Sequence, residues 1–304
     1  MKSNRLQIRK KPNWLNQKEY PFQSKYITLN NYNIHYIDEG SGEILLFVHG
    51  TPSWSFEYRK IIKGLSKNYR CIAYDHIGFG LSDKPEEFNY TVENHSNHLS
   101  LFIDELNLKN INLVFHDFGG PISLKYVVSN KIKIKRMIAF NTWAWSNEGE
   151  VGYEKMKSFL KSPLLPFLYK RLNFSPKFLL PKMFSKNNSL PSEIKKHYVK
   201  PFKNSTERNG ALGFAKSLLN EQDLLSNLEK RLDEISKVPI LFIWGKQDKV
   251  MPVEYLRKFE KKFKNSESIC FENSSHFPHE ENPIDTIEVI EKFLQKDVSN
   301  TKLR

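Results

Sequence analysis

The chain has 304 residues, 39% of them hydrophobic, which is enough to bury a large core in a single α/β domain with one insertion. Its net charge of +13 raises nucleic acid or an acidic surface as a partner. The basic residues are, however, spread over many segments and interleaved with acidic and apolar ones, so we expect solvated surfaces and no nucleic-acid partner.

The first half of the chain alternates between strand and helix patterns. The segment KYITLNNYNIHYIDEG alternates apolar and polar residues around Asn30 and Asn31, which predicts an antiparallel hairpin. EILLFVHG is a nearly continuous apolar run, typical of a strand covered on both faces, and RCIAYD, INLVFHD and KRMIAFN are further strands. Helical patterns lie between them, in TVENHSNHLSLFIDEL and after Gly120. Such βα units predict a mostly parallel sheet with helices on both faces.

This alternation stops between about Trp145 and Asp223, where six prolines separate helix-like pieces and no buried-strand run occurs. It resumes with VPILFIWG, a helix near 254–263, ESICFEN and the final amphipathic helix PIDTIEVIEKFLQK. We therefore predict three parts: a first core part in residues 1-145, a helical cap in residues 146-225, and a second core part in residues 226-304.

Polar residues follow several of the predicted strands at the point where each strand ends. In a parallel sheet these ends share one edge, where reactive groups collect. The segment FHDFGG fits a nucleophile elbow with Asp117 at its apex, because Gly119 and Gly120 let the following helix approach the strand. Asp248 follows VPILFIWG and His276 follows ESICFEN, so the chain order is nucleophile, acid, histidine.

Five motifs occur in an order that characterises one enzyme family: HGTPSWSFEYR, DHIGFGLSDKP, HDFGG, WGKQDKVMP and SSHFPHEENP. From about Tyr20 to the final helix, the chain resembles the haloalkane dehalogenase and epoxide hydrolase branch of the α/β-hydrolases. The resemblance implies an α/β-hydrolase fold, with a mostly parallel eight-stranded sheet and an inserted helical cap. It also implies a catalytic triad of Asp117 as nucleophile, Asp248 as acid and His276 as base.

An aspartate nucleophile narrows the reaction. Attack of Asp117 on an sp³ carbon forms a stable alkyl ester that a second step can hydrolyse, which favours a small apolar electrophile such as an alkyl halide or an epoxide. We expect His276 to activate the water that attacks this ester, and Asp248 to orient His276. The backbone N–H groups of Thr51 and Phe118 are expected to hold the developing oxyanion. This chemistry uses no cofactor and no metal, and none is predicted.

The residues that would bind the leaving group depart from the family pattern. Haloalkane dehalogenases bind the halide with the indole N–H of a Trp directly after the nucleophile, together with a second Trp or an Asn. Phe118 stands at the first of these positions and has no N–H in its side chain, and Thr51 stands where the Asn would be. The candidate donors that remain are the indoles of Trp143 and Trp145 and the Thr51 hydroxyl.

The first hypothesis is a hydrolase similar to haloalkane dehalogenases that cleaves a carbon–halogen or similar bond through an aspartyl ester. The alternative is an epoxide hydrolase, which would protonate the epoxide oxygen with cap tyrosines; the candidates are Tyr153, Tyr169 and Tyr198. A non-catalytic ligand-binding protein of the same fold is a second alternative. The sequence leaves the physiological substrate and the oligomeric state open.

Several polar residues near the motifs are expected to support the site. Asn141 stands where some dehalogenases carry an alternative catalytic carboxylate, and an amide cannot serve as one, which leaves Asp248 as the acid. We expect His49 to brace the oxyanion loop and His116 to pack beside the elbow. His279 is predicted to be solvated or to begin a helix.

Two features predict a cytoplasmic location. Cys71 and Cys270 lie in strand-like runs outside any metal-type spacing, so they are expected to be buried free thiols in a reducing compartment. No stretch approaches the ~20 apolar residues of a membrane span, and the segment MKSNRLQIRKKPNWLNQ lacks the apolar centre of a signal peptide.

Overall fold

A nine-stranded sheet runs through the centre of this computed structural model, which describes residues 7–8, 11–130 and 133–296. The strands lie in the order β1-β2-β3-β5-β4-β6-β7-β8-β9. They are β1 (Gln7–Ile8), β2 (Lys25–Leu29), β3 (Tyr32–Glu39), β4 (Ile44–Val48), β5 (Arg70–Tyr74), β6 (Ile111–Asp117), β7 (Ile134–Thr142), β8 (Ile240–Gly245) and β9 (Ser266–Phe271).

The predicted mixture of antiparallel and parallel pairing is confirmed. The first pairs, from β1 through β2 and β3 to β5, are antiparallel, and every pair from β5 to β9 is parallel. Asn30 and Asn31 form the predicted hairpin turn with φ angles of 48° and 69°, a left-handed conformation that Asn tolerates. Eight strands are those expected, and the two-residue β1 adds an edge strand to them.

Helices cover both faces of the sheet. In chain order they are α1 (Arg59–Leu65), α2 (Val92–Glu105), α3 (Gly119–Ser129), α4 (Val151–Leu160), α5 (Leu165–Leu172), α6 (Ser192–Val199), α7 (Asn209–Asn220), α8 (Gln222–Arg231), α9 (Val253–Lys262), α10 (Pro278–Glu281) and α11 (Pro283–Leu294). Neighbouring residues of β4 belong to different hydrophobic clusters. Leu46 belongs to the cluster that includes residues of α2 and α3, and Leu45 belongs to the cluster that includes residues of α1 and α11. Burial on both faces explains why the central strands are nearly continuous apolar runs.

All the regular secondary structure in the long segment between β7 and β8 is helical. It contains α4 to α8 and several short 3-10 or π-helical turns, and no strand occurs among its residues. Its last helix, α8, packs against α3, so the predicted boundary at residue 225 falls inside a helix that contacts the core.

The strand order determines where the predicted site residues lie on the sheet. Strands β5 and β6 lie on opposite sides of β4, so the chain connections diverge at the carboxyl end of β4 and open a crevice there. β6 ends at Asp117 on one side of this crevice, and the HGTP segment leaves β4 on the other. The sheet therefore brings the predicted oxyanion loop and nucleophile together.

Both cysteines are free thiols, as predicted. Cys71 is buried, whereas Cys270 is only half-buried because β9 is an edge strand. No helix in the described part of the chain combines the length and apolar character that a membrane span requires.

Candidate active site

Asp117 occupies a sharp turn between β6 and α3. Its φ angle of 50° lies in the left-handed region, and α3 begins two residues later at Gly119. A Cβ atom at Gly119 would collide with the carbonyl oxygen of Val48, and one at Gly120 would collide with the side chain of Thr142. The two glycines thus permit the close approach of helix and strand that exposes the Asp117 side chain at the crevice.

The HGTP segment, which is the predicted oxyanion loop, contacts Asp117 directly. The backbone N–H of Thr51 donates a hydrogen bond to Asp117 Oδ1 over 2.8 Å. His49 braces the loop, since its Nδ1–H donates to the carbonyl of Gly50 over 2.7 Å and its Nε2 accepts from the backbone N–H of His76 over 2.9 Å. Phe118, whose N–H is the other predicted donor, lies at the N-terminus of α3.

His276 lies between the two predicted carboxylates, and all three side chains are buried. Its Nδ1 is 2.7 Å from Asp248 Oδ2, and its Nε2 faces Asp117 Oδ2 at 3.5 Å. The backbone N–H of His276 donates to the carbonyl of Met183, so a residue from the segment between β7 and β8 helps to hold it. The structure therefore brings together the three residues that the motif order singled out.

Asn141 holds Asp248 in place, a role that the sequence did not predict. Its Nδ2 donates to Asp248 Oδ2 over 2.8 Å, while its Oδ1 accepts from the backbone N–H of Gly245 over 2.9 Å. The backbone N–H of Val250 donates to the other carboxylate oxygen of Asp248 over 2.8 Å. The Asp248 carboxylate thus accepts two hydrogen bonds in addition to its contact with His276.

The two carboxylates stabilise the charged form of His276. Burial opposes a charged imidazole, but Asp248 and Asp117 outweigh this effect and raise the pKa of His276 to about 10. Burial also acts on Asp117 and would by itself raise the pKa of its carboxyl, yet the contacts with His276 and the Thr51 N–H hold that pKa below its ordinary value. At neutral pH the site therefore contains an aspartate carboxylate beside a protonated histidine.

Phe118 packs among aromatic side chains next to Asp117. Its ring stacks on Phe214 of α7, with ring centroids 4.5 Å apart, and meets the edge of Trp143 at 4.8 Å. The Trp143 indole N–H and the Thr51 hydroxyl are both buried without a hydrogen-bond partner among the described residues. Two polar donors therefore remain available in the neighbourhood of Asp117.

Trp145 packs against α9 and not against Phe118. Its ring packs against Tyr255 and Phe259 of α9, at centroid distances of 5.1 and 4.8 Å, and Lys258 Nζ lies 4.3 Å from its ring centroid. Of the two indoles that the sequence left open, only Trp143 contacts Phe118.

The three candidate tyrosines have other surroundings. The hydroxyl of Tyr153 donates to the carbonyl of Leu218 over 2.9 Å, and Tyr169 is hydrogen-bonded to Ser175. Tyr198 packs edge-on against Phe56, and its buried side chain interacts with the Arg59 guanidinium. None of the three is hydrogen-bonded to Asp117 or His276 in the described structure.

Two further histidines lie beneath the site. His116 does more than pack beside the elbow, because its Nε2–H donates to the backbone carbonyl of His276 over 2.8 Å. His279 lies near the start of the short helix α10, but it is fully buried, so the alternative of a solvated residue is wrong. Its ring is enclosed by Tyr58, Phe140 and His116.

Comparison with known proteins places these features in a family. The model of the alpha/beta hydrolase fold family matches residues 43–283. Haloalkane dehalogenase 2 of Mycobacterium tuberculosis is 32% identical over 266 residues, which cover 87% of this chain and 92% of that protein. The cis-3-alkyl-4-alkyloxetan-2-one decarboxylase of Shewanella oneidensis is 32% identical over 282 residues, which cover 90% and 89%. The haloalkane dehalogenase DatA of Agrobacterium tumefaciens has the same fold, with a TM-score of 0.81 at 23% identity, covering 92% of this chain and 99% of that chain.

Proposed function

Because the chain belongs to the haloalkane dehalogenase-like branch of the α/β-hydrolase family, we propose that it is a hydrolase that cleaves a carbon–halogen or similar bond through an ester at Asp117. One observation carries this proposal. Asp117 is a buried carboxylate at the apex of an elbow, 3.5 Å from an imidazole that is itself 2.7 Å from Asp248. This geometry supports the assignment of Asp117 as nucleophile, His276 as base and Asp248 as the acid that orients the base.

The reaction proceeds in two steps. The Asp117 carboxylate attacks the sp³ carbon of the substrate, the carbon–halogen bond breaks, and the halide leaves with the electron pair. Water then attacks the carbonyl carbon of the resulting ester, while His276 accepts one proton from that water. The bond between this carbon and the alkoxy oxygen then breaks, the alkoxide takes the second water proton and leaves as the alcohol, the Asp117 carboxylate is restored, and His276 returns its proton to solvent. The Thr51 N–H, already bonded to one Asp117 oxygen, is positioned to stabilise the negative charge that develops there.

The first step prepares the base for the second. In the free protein His276 faces two carboxylates, and its pKa of about 10 keeps it protonated at neutral pH. Esterification of Asp117 removes one of the two negative charges, so the pKa of His276 falls in the alkylated protein. Esterification therefore favours the neutral imidazole at the stage at which it has to accept a proton.

This sequence predicts opposite pH behaviour for the two steps. Since the neutral fraction of His276 grows with pH, hydrolysis of the ester should accelerate as pH rises and then level off at the lowered pKa. Alkylation depends on an Asp117 carboxylate whose pKa is already depressed, so it should stay nearly constant from about pH 5 to about pH 9. Rapid-quench mass spectrometry of a single turnover measures both rates. Ester hydrolysis that slows with rising pH contradicts the assignment of His276 as base.

The indole N–H groups of Trp143 and Trp145 are both buried without a hydrogen-bond partner among the described residues. Trp143 is proposed as the principal donor to the leaving group because its ring, unlike that of Trp145, contacts Phe118. The wild-type protein is expected to release bromide from 1,2-dibromoethane. Loss of the donor in the Trp143→Phe variant should lower the rate of bromide release by about 10-fold or more, since one charge-stabilising donor contributes about 10²–10³ in favourable sites. The Trp145→Phe variant is the matched control and should retain the wild-type rate.

The same assay tests the alternatives. Equal rates in the two variants contradict the role of Trp143. Diol formation from styrene oxide without any bromide release indicates the epoxide hydrolase, and variants of Tyr153, Tyr169 and Tyr198 to Phe then identify the proton donor. A protein that turns over no halide, epoxide or activated ester is a non-catalytic member of the fold.

A second candidate function is supported by the similarity to the oxetan-2-one decarboxylase. A cis-3,4-dialkyl oxetan-2-one offers an sp³ carbon with a carboxylate as leaving group, which Asp117 can attack. Loss of CO₂ from the ester forms the double bond between ring carbons 3 and 4 and returns the electron pair to Asp117, so no water is consumed. Release of CO₂ and an alkene from such a compound, in preference to bromide release from haloalkanes, would favour this candidate.

A further inference from the structure

A second cluster of titratable side chains lies beneath the proposed active site and takes no part in the two-step reaction. It consists of Glu57, in the 3-10 turn after β4, His116, the penultimate residue of β6, and His279 in α10. All three are essentially inaccessible to solvent, with exposed fractions of 0%, 1% and 0%. Each offers a ligand atom within 4.8 Å of the others, and no other such group occurs in the part of the chain that the structure describes.

The hydrogen bonds of His116 determine which of its nitrogens faces the cluster. Its Nε2 lies 2.8 Å from the backbone carbonyl of His276. Because a carbonyl only accepts, Nε2 carries a hydrogen there. Its Nδ1 points the opposite way and lies 3.3 Å from each carboxylate oxygen of Glu57. This is the pattern of a metal-binding histidine, in which one nitrogen is held by a backbone carbonyl and the other faces the ion.

Glu57 is a fully buried carboxyl group. The Ser53 hydroxyl donates to its carboxylate, and its ion-pair contact among the described residues is with His116 Nδ1 at 3.3 Å, which carries a charge only when that imidazole is protonated. Burial of a carboxylate is unfavourable unless a positive charge compensates it. A divalent cation between Glu57 and the two imidazoles would supply that charge.

His279 supplies the independent indication of a ligand. Neither of its ring nitrogens has a hydrogen-bond partner, although the side chain is fully buried. Buried polar atoms are nearly always paired, so an unpaired imidazole facing a carboxylate and a second imidazole indicates a missing partner.

We propose that Glu57, His116 and His279 bind a zinc ion. Two imidazole nitrogens and one carboxylate oxygen form a donor set that Zn²⁺ takes in proteins, with a fourth position for water. The Ser53 hydroxyl and the His276 carbonyl would hold the ligands in place from outside. Since one ligand is bonded to the backbone of His276, the ion braces the loop that carries the proposed catalytic base. This site is separate from the reaction and does not depend on the proposed function.

His95 provides a matched control. It is also fully buried, with neither ring nitrogen paired. Its neighbours, however, are the rings of Phe214, His76 and Phe88, at centroid distances of 4.7, 5.0 and 5.3 Å. It therefore tests the loss of a buried imidazole that lacks a carboxylate beside it.

The experiment is to unfold the full chain with a chelator, refold it with Zn²⁺ or with chelator alone, dialyse it, and measure bound metal by mass spectrometry. We expect about one Zn²⁺ per wild-type and His95→Gln chain, and about a tenth of this or less for Glu57→Gln and His279→Gln. Refolding with Co²⁺ should give the visible absorption of a tetrahedral site in wild type and His95→Gln only. The zinc-loaded wild type should also melt at a higher temperature than the chelator-refolded wild type.

Wild-type chain that folds, as judged by circular dichroism, and yet binds neither Zn²⁺ nor Co²⁺ overturns the proposal. Equal metal content in His279→Gln and wild type overturns it as well. Because these measurements use no substrate, their outcome is independent of any result with haloalkanes. The wild-type refolding comparison also remains decisive if the two ligand variants fail to fold.

Discussion

Replacing His276 with glutamine is expected to block turnover after the first chemical step and to leave the alkyl group of the substrate on Asp117. Asp117 keeps the hydrogen bond from the Thr51 N–H in this variant, so it can still attack as a carboxylate. The ester it forms then lacks the base that activates water. A general base contributes about 10²–10⁴ to the rate of such a step, so steady-state turnover should fall by about that factor.

Mass spectrometry detects the trapped ester. After incubation with 1,2-dibromoethane, the His276→Gln variant should carry one bromoethyl group on the tryptic peptide 110–125, which contains Asp117. The His276→Gln variant with Asp117→Asn added should remain unmodified, and His95→Gln should turn over without accumulating an adduct. Alkylation of another residue, or wild-type turnover without any ester in His276→Gln, contradicts the covalent route.

The sheet and the three central site residues could be anticipated because their signals are local. Strands β4, β6 and β8 are short apolar runs, since both of their faces are buried, and each ends in a polar residue or a turn. Asp117, Asp248 and His276 all lie at or just after strand ends. Parallel strands bring such ends to one edge of the sheet, which is why residues far apart in sequence could be grouped.

The remaining contacts depend on how loops fold, which no local pattern encodes. Trp143 and Trp145 stand two residues apart after the end of β7, yet one contacts Phe118 and the other packs on α9. The sequence alone shows that Asn141 cannot serve as the acid, because its side chain is an amide. Its hydrogen bond to Asp248 could not be predicted, because that bond depends on how β7 and β8 are aligned in the sheet. The cluster of Glu57, His116 and His279 joins three separate elements and has no sequence spacing that would indicate it.

Replacement of Asp248 with asparagine is expected to slow hydrolysis of the ester by about 10²–10⁴ while alkylation stays near the wild-type rate. Asp248 accepts the hydrogen from His276 Nδ1 and is the main group that raises the His276 pKa against the opposing effect of burial. An asparagine can instead present its N–H₂ group to Nδ1, which moves the imidazole hydrogen to Nε2, the atom that has to accept a proton from water.

Pre-steady-state kinetics distinguishes this outcome from misfolding. Asp248→Asn should give a burst of about one bromide per protein molecule, followed by slow turnover, because only the second step is impaired. The exposed Asp285→Asn variant is the control and should show wild-type turnover. A variant at Asp248 without a burst, but with normal circular dichroism, would assign Asp248 to the first step instead.

The position of Asn141 allows a rescue. Its Nδ2 lies 2.8 Å from the same Asp248 oxygen that accepts from His276 Nδ1, so residues 141 and 248 both reach the acid position. The exchanged pair Asn141→Asp with Asp248→Asn keeps one carboxylate and one amide at this point. The exchanged pair should hydrolyse the ester at least about 10-fold faster than Asp248→Asn alone, because a carboxylate again orients His276 and stabilises its charged form. If the exchanged pair hydrolyses the ester no faster than Asp248→Asn alone, the carboxylate acts only from the end of β8, and the Asn141 contact serves solely to hold Asp248.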